Sequence, residues 1–281
     1  MAVSGWGKEP AEFKVFISAD MEGVAGLVSE QQVSDVGVDY AVGRRLMTAE
    51  VNSAIEAAFQ AGATAVTITD GHGHGTNLLP GEIDRRATLI TGSPMPQGMM
   101  QGLDQGFAAA IFVGYHAFRS SADGVLAHTF SSALLRVYLN GQEVGEYGLN
   151  AAMAGFYGVP VVFVSGDRAV TEEAKAFIPG VETVAVKEGL AHNVARTLQP
   201  EEARNRISAT VKESLGRRRE IAPVRLQSPI TLEVELALTS QADNAMLLPG
   251  MIRISGTRIR YIASNMEVAY RVSMLIERLA R

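Results

Sequence analysis

The feature that most constrains the fold of this chain is a set of short, nearly continuous apolar runs separated by segments of helical pattern. Runs that are apolar at almost every position, rather than at every second one, are typical of strands covered on both faces. Such strands belong to parallel sheets, in which helices connect one strand to the next. Four runs have this character and a fifth is a candidate: Lys14–Ala19, Ala63–Thr69, Ala108–Gly114, Val159–Ser165 and, as the candidate, Val181–Val186.

Two segments between these runs have the spacing of helices. Tyr40–Ala61 carries apolar residues at helical intervals and is followed by Gly62, a residue favoured directly after a helix end. Asn150–Tyr157 is apolar and is followed by Gly158. The alternation of strands and helices predicts an α/β protein built on a doubly wound, mostly parallel sheet.

The pattern changes after about residue 190. A charged helical segment over Pro200–Arg219 precedes an alternating strand over Thr231–Leu236, a hairpin over Ile252–Ile262 and a closing helix over Met266–Leu279. We therefore predict a second, smaller α+β domain over residues 191–281, after an α/β catalytic domain over residues 14–190 that binds metal. Residues 1–13, which contain two glycines and a proline, are predicted to form a poorly ordered extension.

Composition excludes several classes of function. The 281 residues include no cysteine, which rules out disulfides, thiol nucleophiles and cysteine-ligated metals. The net charge of −5, without a basic cluster threaded by aromatic residues, argues against nucleic acid as a partner. No run approaches the roughly 18 apolar residues of a membrane span, and the first residues do not resemble a signal peptide. We expect a cytoplasmic protein with no membrane partner.

Three of the apolar runs lead directly into side chains that can bind metal. The first is followed by Asp20 and Glu22, the second by His72 and His74, and the third by His116. Because the carboxyl ends of parallel strands share one edge of a sheet, we expect these side chains to meet in a crevice at that edge. His128 follows the same region, so four of the five histidines fall in or just after it.

Each of these motifs also has a simpler interpretation. The carboxylates of Asp20 and Glu22 face one side of an extended chain and could converge on a cation, but an isolated D-x-E pattern is often a solvated acidic turn. The DGHGHG segment can bend around an ion, with His72 nearer the strand and so the better ligand candidate than His74, or it is a flexible surface turn. Glu146 is a candidate carboxylate ligand or a surface glutamate.

A mixed set of carboxylates and imidazoles fits a two-metal hydrolytic site, in which a carboxylate such as Asp20 bridges both ions and a metal-bound hydroxide attacks. The residues alone predict metal-assisted hydrolysis and no narrower reaction. No G-x-S-x-G motif occurs, which argues against a serine nucleophile. Two rival functions stay open: a metal-dependent amidase or esterase acting on a non-peptide substrate, and a non-catalytic metal- or peptide-binding protein.

These residues lie in motifs that resemble the dipeptide-operon D-aminopeptidase (DppA) family of zinc metallopeptidases. The matching stretches, in chain order, are Ser18–Gly23, Asp70–His72, Gly114–Ala117, His128 and Gly145–Ala151. The resemblance runs from about Lys14 to the C-terminus. Five motifs in order are far more specific than any one of them.

The resemblance implies a complete assignment of the site. Two zinc ions, or other divalent metals, would be held by five side chains: Asp20, Glu22, His72, His116 and Glu146. His128 would be the catalytic histidine rather than a ligand. The implied reaction removes an N-terminal residue, often a D-amino acid, from short peptides, and the implied assembly is a ring-stacked homodecamer with active sites facing an inner channel.

Three further residues are candidate substrate contacts. Asn150 and Asn77 are hypothesised to supply hydrogen bonds that orient the substrate. His74 lies in a segment that is richer in glycine and histidine than the family form, and it is hypothesised to contact substrate or to alter the metal site.

Overall fold

The computed structural model of the protein describes residues 12–281. Most of the predicted N-terminal extension, residues 1–11, lies outside the described residues. Phe13 is buried, and its backbone N–H donates to Thr64 Oγ1 over 2.9 Å. The chain is therefore anchored one residue before the first strand begins.

The described residues form strands and helices that alternate through the first two thirds of the chain. The strands are β1 (Lys14–Ala19), β2 (Ala65–Asp70), β3 (Thr88–Ile90), β4 (Ala109–Tyr115), β5 (Leu134–Leu139), β6 (Gln142–Glu143), β7 (Val161–Asp167), β8 (Glu182–Ala191), β9 (Val194–Thr197), β10 (Ile230–Leu236), β11 (Ile252–Arg253) and β12 (Arg258–Ala263). The α-helices are α1 (Glu30–Val33), α2 (Tyr40–Gln60), α3 (Glu146–Phe156), α4 (Arg168–Phe177), α5 (Pro200–Gly216), α6 (Thr239–Ala245) and α7 (Met266–Ala280), and a short 3₁₀ helix spans Gly98–Met100.

The larger sheet has seven strands in the order β3-β2-β1-β4-β7-β8-β9. All neighbours in it are parallel except β8 and β9. From β1 the chain passes to β2 on one side and later returns to β4 on the other, so the order reverses between β1 and β4. This reversal point is where open α/β sheets place their ligand crevices. The predicted doubly wound, mostly parallel sheet is confirmed.

A second, antiparallel sheet has the order β11-β12-β10-β5-β6. Its central strand β10 pairs with β12 on one side and with β5 on the other. Strands β5 and β6 come from the middle of the chain, so the two sheets are interleaved along the sequence. The predicted division into domains after residue 190 stays a prediction.

The larger sheet is buried on both faces, which accounts for its nearly continuous apolar strands. One face packs against α2 and α5, through residues such as Val51 and Ile207. The other face packs against α3 and α4, through residues such as Leu149 and Val170, and the same apolar core continues into α7 and the second sheet. No helix among residues 12–281 combines the length and apolar character needed to cross a bilayer.

Helix α3 begins earlier than the sequence predicts. The expected start was Asn150, with Glu146 in a turn before it; the helix instead begins at Glu146, behind the extended Gly145. A carboxylate in the first turn of a helix is stabilised by the helix dipole, which the apolar pattern alone does not reveal. Glu146 is thereby held on a rigid element rather than on a flexible turn.

Candidate metal centre

Asp20 and Glu22 lie on the short segment that follows β1, and both are buried, with 2% and 5% of their surface exposed. This segment crosses the end of β4 at very close range: Gly23 N–H donates to Gly114 O over 2.8 Å. A Cβ at Gly23 would lie 1.8 Å from Tyr115 O, and one at Gly114, whose φ of +75° lies in the left-handed region, would lie 2.2 Å from Asp20 O. Because neither Gly23 nor Gly114 has a side chain, the segment that carries Asp20 and Glu22 can lie against the end of β4.

His72 is placed by the loop after β2. Asp70 closes that loop by accepting hydrogen bonds from the backbone N–H groups of Asn77 and Leu78, over 2.6 and 2.7 Å. The Nε2 atom of His72 lies 2.8 Å from Val33 O, and because a carbonyl can only accept, Nε2 carries the proton. Nδ1 is left facing the carboxylates, 2.9 Å from Glu22 Oε2 and 3.4 Å from Asp20 Oδ1.

His116 follows β4 and is oriented in the same way. Its Nδ1 donates to Ala117 O over 3.0 Å, so Nε2 presents a lone pair to the site. That Nε2 lies 3.4 Å from Asp20 Oδ2 and 3.5 Å from Glu146 Oε1. The two oxygens of Asp20 therefore face two different histidines, His72 and His116.

His128 completes the cluster from a strained loop. Its Nδ1 donates to Leu126 O over 2.9 Å, and its Nε2 lies 3.8 Å from both Glu22 Oε1 and Glu146 Oε1. The imidazole stacks on that of His116, with ring centroids 4.2 Å apart. Leu126 and Phe130, on either side of it, have φ values of 53° and 60°, and backbone strain of this kind clusters at functional sites.

A cavity of about 300 Å³ opens over these groups. Asp20, Glu22, His72, His128 and Glu146 line its floor, and His74 also lines it from an exposed position. Its apolar walls include Met95, Met99 and Phe130, and helix α7 forms a further wall. A volume of this size matches small-molecule sites.

The two asparagines are held in protein contacts. Asn77 donates through Nδ2 to Asp70 Oδ1 over 2.7 Å and accepts from Tyr40 O–H over 2.6 Å, so it stabilises the His72 loop. Asn150 is fully buried; its Nδ2 donates to Tyr115 Oη and its Oδ1 accepts from Tyr270 O–H. The structure does not bring Asn150 to the cavity, and its contact with substrate stays a prediction.

The charges in the cluster are strongly coupled. Burial would lower the pKa of His72, but the neighbouring Glu22 and Asp20 carboxylates outweigh it and raise that pKa well above its usual value. Burial and the charge of Glu22 raise the pKa of Asp20 to about 7. For Glu22 itself, burial is outweighed by His72, which holds the pKa of that carboxyl well below its usual range. Three buried carboxylates so close together repel one another unless positive charge lies among them.

His116 and Glu146 form a similar pair. Burial opposes the charge of both, yet Glu146 raises the pKa of His116 well above its usual value, and His116 in turn lowers the pKa of Glu146. Proton sharing within the cluster is therefore one way of balancing its charge. A divalent cation is the other.

The geometry fits divalent metal. Two groups of donor atoms that lie within 4.8 Å of one another share Asp20: one consists of Asp20, Glu22 and His72, and the other of Asp20, His116 and Glu146. Asp20 Oδ2 and His116 Nε2 are buried and make no hydrogen bond with any of the described residues. A set of carboxylate oxygens and imidazole nitrogens is one that zinc accepts.

Two residues that support the site were not found from the sequence. Lys187, on β8, is buried and donates from Nζ to the backbone carbonyls of Glu22, Val24 and Leu27, which fixes the segment that carries the carboxylates. Phe130 donates its backbone N–H to Glu146 Oε1 over 2.6 Å. No local sequence pattern indicates either contact, because each contact joins two segments that come together only in the folded protein.

The fold and the cluster together define an α/β protein with a buried carboxylate–imidazole cluster, of a composition that fits divalent metal, at the switch point of its sheet. Comparison with known proteins narrows this class. The family model described as D-aminopeptidase, Peptidase M55, matches residues 13–275. The chain therefore belongs to the D-aminopeptidase family, as its motifs predicted.

Two relatives are similar over nearly their whole length. The chain is 36% identical over 268 residues to a D-aminopeptidase of Bacillus subtilis strain 168, covering 95% of this chain and 97% of the relative. Among solved structures it is similar to the Zn-dependent D-aminopeptidase DppA from Bacillus subtilis, described as a self-compartmentalizing protease. That match has a TM-score of 0.93 at 35% identity and covers 95% of this chain and 98% of the other.

Proposed function

We propose that this protein is a zinc-dependent aminopeptidase that hydrolyses short peptides, preferentially those with an N-terminal D-amino acid. The observation that carries the proposal is the sharing of Asp20 between two groups of donor atoms at a cavity. Family membership and the D-aminopeptidase relative support the peptide substrate and its stereochemistry.

In this proposal Asp20 belongs to both of the ligand groups that would hold two zinc ions. Glu22 and His72 would complete one group, and His116 and Glu146 the other. When bound, such ions supply Lewis acidity and lower the pKa of water, so that peptide bonds can be hydrolysed near neutral pH. The carbonyls of Val33 and Ala117 hold the two imidazoles in the tautomer that ligation requires.

His128 is proposed to be the catalytic residue that moves a proton. Its Nδ1 is bonded to Leu126 O, so Nε2 is the atom available to the reacting groups. It lines the cavity and is 28% exposed at its side chain, whereas His116 beneath it is 1% exposed. An imidazole in this position can donate a proton to the leaving amine or to the developing oxyanion.

The proposal extends to the assembly. The relative of known structure is described as self-compartmentalizing, which supports a homo-oligomer for this chain, with a homodecamer as the specific expectation. An oligomer of that kind restricts access to short or unfolded peptides. The cytoplasmic location stays a prediction.

The decisive experiment combines metal analysis with a substrate panel. Purified protein is expected to contain two zinc ions per chain and to cleave D-Ala-D-Ala faster than L-Ala-L-Ala, with activity lost on chelation and restored by zinc. A simple ester and an amide without an amino terminus serve as controls, because preference for either would identify an esterase or amidase instead.

One substitution distinguishes an enzyme from a non-catalytic binding protein. His128→Ala is expected to keep its zinc and to lose about 10²- to 10⁴-fold in kcat, the usual contribution of a proton-transfer residue. A variant that bound zinc normally and retained full activity would remove His128 from the mechanism. Zinc binding without turnover of any substrate by the unaltered protein would favour the binding-protein alternative.

A further inference from the structure

Helix α7 closes the cavity on a side that carries no metal-binding candidate. Met274, Glu277, Arg278 and Arg281 all line the cavity. Their spacing of three, four and seven positions from Met274 places them on one face of the helix. The last turns of α7, with the residue directly after the helix, therefore place a methionine, a carboxylate and two guanidinium groups at the cavity.

The two arginines differ in their partners. Arg281 Nε lies 2.5 Å from Oε1 of Glu277, a carboxylate that is only 3% exposed. Arg278 has no carboxylate within salt-bridge distance among residues 12–281, whereas Arg271, two turns earlier on the same helix, pairs with Glu267 over 2.7 Å. Arg278 is thus a cation at the cavity whose charge is not balanced directly by any carboxylate of the described part of the chain.

Charged groups of both signs line the cavity. Carboxylates and imidazoles belong to the metal cluster, guanidinium groups come from Arg278 on α7 and from Arg281 directly after it, and thioethers and the Phe130 ring supply apolar lining. A short peptide with free ends carries the matching groups: an amine, apolar side chains and a carboxylate. Guanidinium binds carboxylate through two parallel hydrogen bonds, which a lysine cannot reproduce.

From the match between these cavity groups and the groups of a peptide, we infer that Arg278, with Arg281 beside it, binds the free α-carboxylate of a short peptide substrate. The inference rests on the proposed function, because it takes the metal side of the cavity as the position of the scissile bond and the amine. It adds a determinant of specificity: the protein selects peptides short enough for their C-terminus to reach α7. Glu277 acts as a positioning residue that holds Arg281.

The test compares a dipeptide with its C-terminal amide, D-Ala-D-Ala and D-Ala-D-alaninamide. The unaltered protein is expected to prefer the free acid by about tenfold or more in kcat/KM, the usual effect of a charge-assisted hydrogen bond. Arg278→Gln is expected to lose that preference through a higher KM for the acid, with kcat and the amide reaction little changed. Arg271→Gln, on the same helix but outside the cavity, is the matched control and is expected to keep the preference.

A binding measurement makes the inference independent of turnover. Calorimetric titration of both ligands into zinc-loaded His128→Ala, and into the same variant with Arg278→Gln, is expected to show tighter binding of the acid only where Arg278 is present. If the unaltered protein cleaves neither ligand but this binding difference is observed, the proposed function fails and the carboxylate site stands. Equal binding of acid and amide, or an unchanged preference in Arg278→Gln, would overturn the inference.

Discussion

Each histidine of the cluster offers a single nitrogen to the site, because its other nitrogen donates to a backbone carbonyl. The acceptors are Val33 O for His72, Ala117 O for His116 and Leu126 O for His128. The backbone therefore chooses the tautomer of each imidazole before any ligand binds. His74, two positions from His72, is exposed and has no such bond among the described residues.

This contrast predicts different outcomes for the two histidines of the DGHGHG segment. His72→Ala is expected to lose at least one zinc ion per chain, because it removes an oriented nitrogen from the group that includes Asp20 and Glu22. His74→Ala is expected to retain both ions. Metal content after dialysis would measure the difference, and equal zinc loss in both variants would contradict the assignment of His72.

A second residue-scale prediction concerns Glu173 on α4. Burial, together with repulsion from Asp167, raises the pKa of its carboxyl to about 8. The folded protein therefore keeps a proton that the unfolded chain loses near its ordinary pKa of 4.5, so the free energy of unfolding falls as pH rises between these values. Glu173→Gln should remove that fall, which is of the order of 2 kcal/mol after allowance for partial exposure.

Denaturant unfolding at pH 5 and pH 8 would measure this difference between the variant and the unaltered protein. Glu172→Gln is the control, since Glu172 is 70% exposed at its side chain and pairs with Arg168 at the long distance of 3.7 Å. If Glu173→Gln and the unaltered protein lose the same stability over this pH range, Glu173 is ionised in the folded protein.

At the scale of elements, the segment after β1 depends on close backbone contact with the end of β4. Gly23→Ala would place a methyl group 1.8 Å from Tyr115 O, so the segment must move away from β4. We expect a loss of about 3 kcal/mol or more in the free energy of unfolding, together with weaker zinc binding. Gly81→Ala is the matched control, because a Cβ there meets nothing within 4 Å.

Calorimetric melting and zinc titration of both glycine variants would check this prediction. A Gly23→Ala protein with unchanged stability and unchanged zinc affinity would show that the segment tolerates displacement. Loss of both stability and zinc affinity would show that the position of the carboxylates depends on close contact with the main chain of β4.

Much of the element structure could be predicted from the sequence. β1 spans the predicted residues, Lys14–Ala19, and the side chains that follow β1, β2 and β4 do lie together, because strand ends are visible in the local pattern. Strands β5 and β6 were not predicted, since β5 pairs with β10, nearly a hundred residues away, and β6 extends the sheet from β5. Likewise, Lys187 lies 165 positions from Glu22, and no local pattern joins them.

At the scale of the whole molecule, the proposed decamer can be tested by mass. Light scattering of the purified protein is expected to give about 300 kDa, ten times the 30.0 kDa of one chain. Val36 and Val38 are 88% and 85% exposed, and apolar side chains so open to solvent are compatible with burial between copies. An active monomer of 30 kDa would contradict the proposed assembly.

The glycine contacts between the β1 segment and β4 also bear on how such a protein changes over evolutionary time. Contacts between main-chain atoms do not specify the side chains around them, so core residues can be replaced while the crossing keeps its shape. The relative of known structure differs at about two thirds of aligned positions yet superimposes with a TM-score of 0.93. Gly23 and Gly114 are therefore expected to tolerate substitution less well than apolar positions of the sheets, where one side chain can replace another of similar volume.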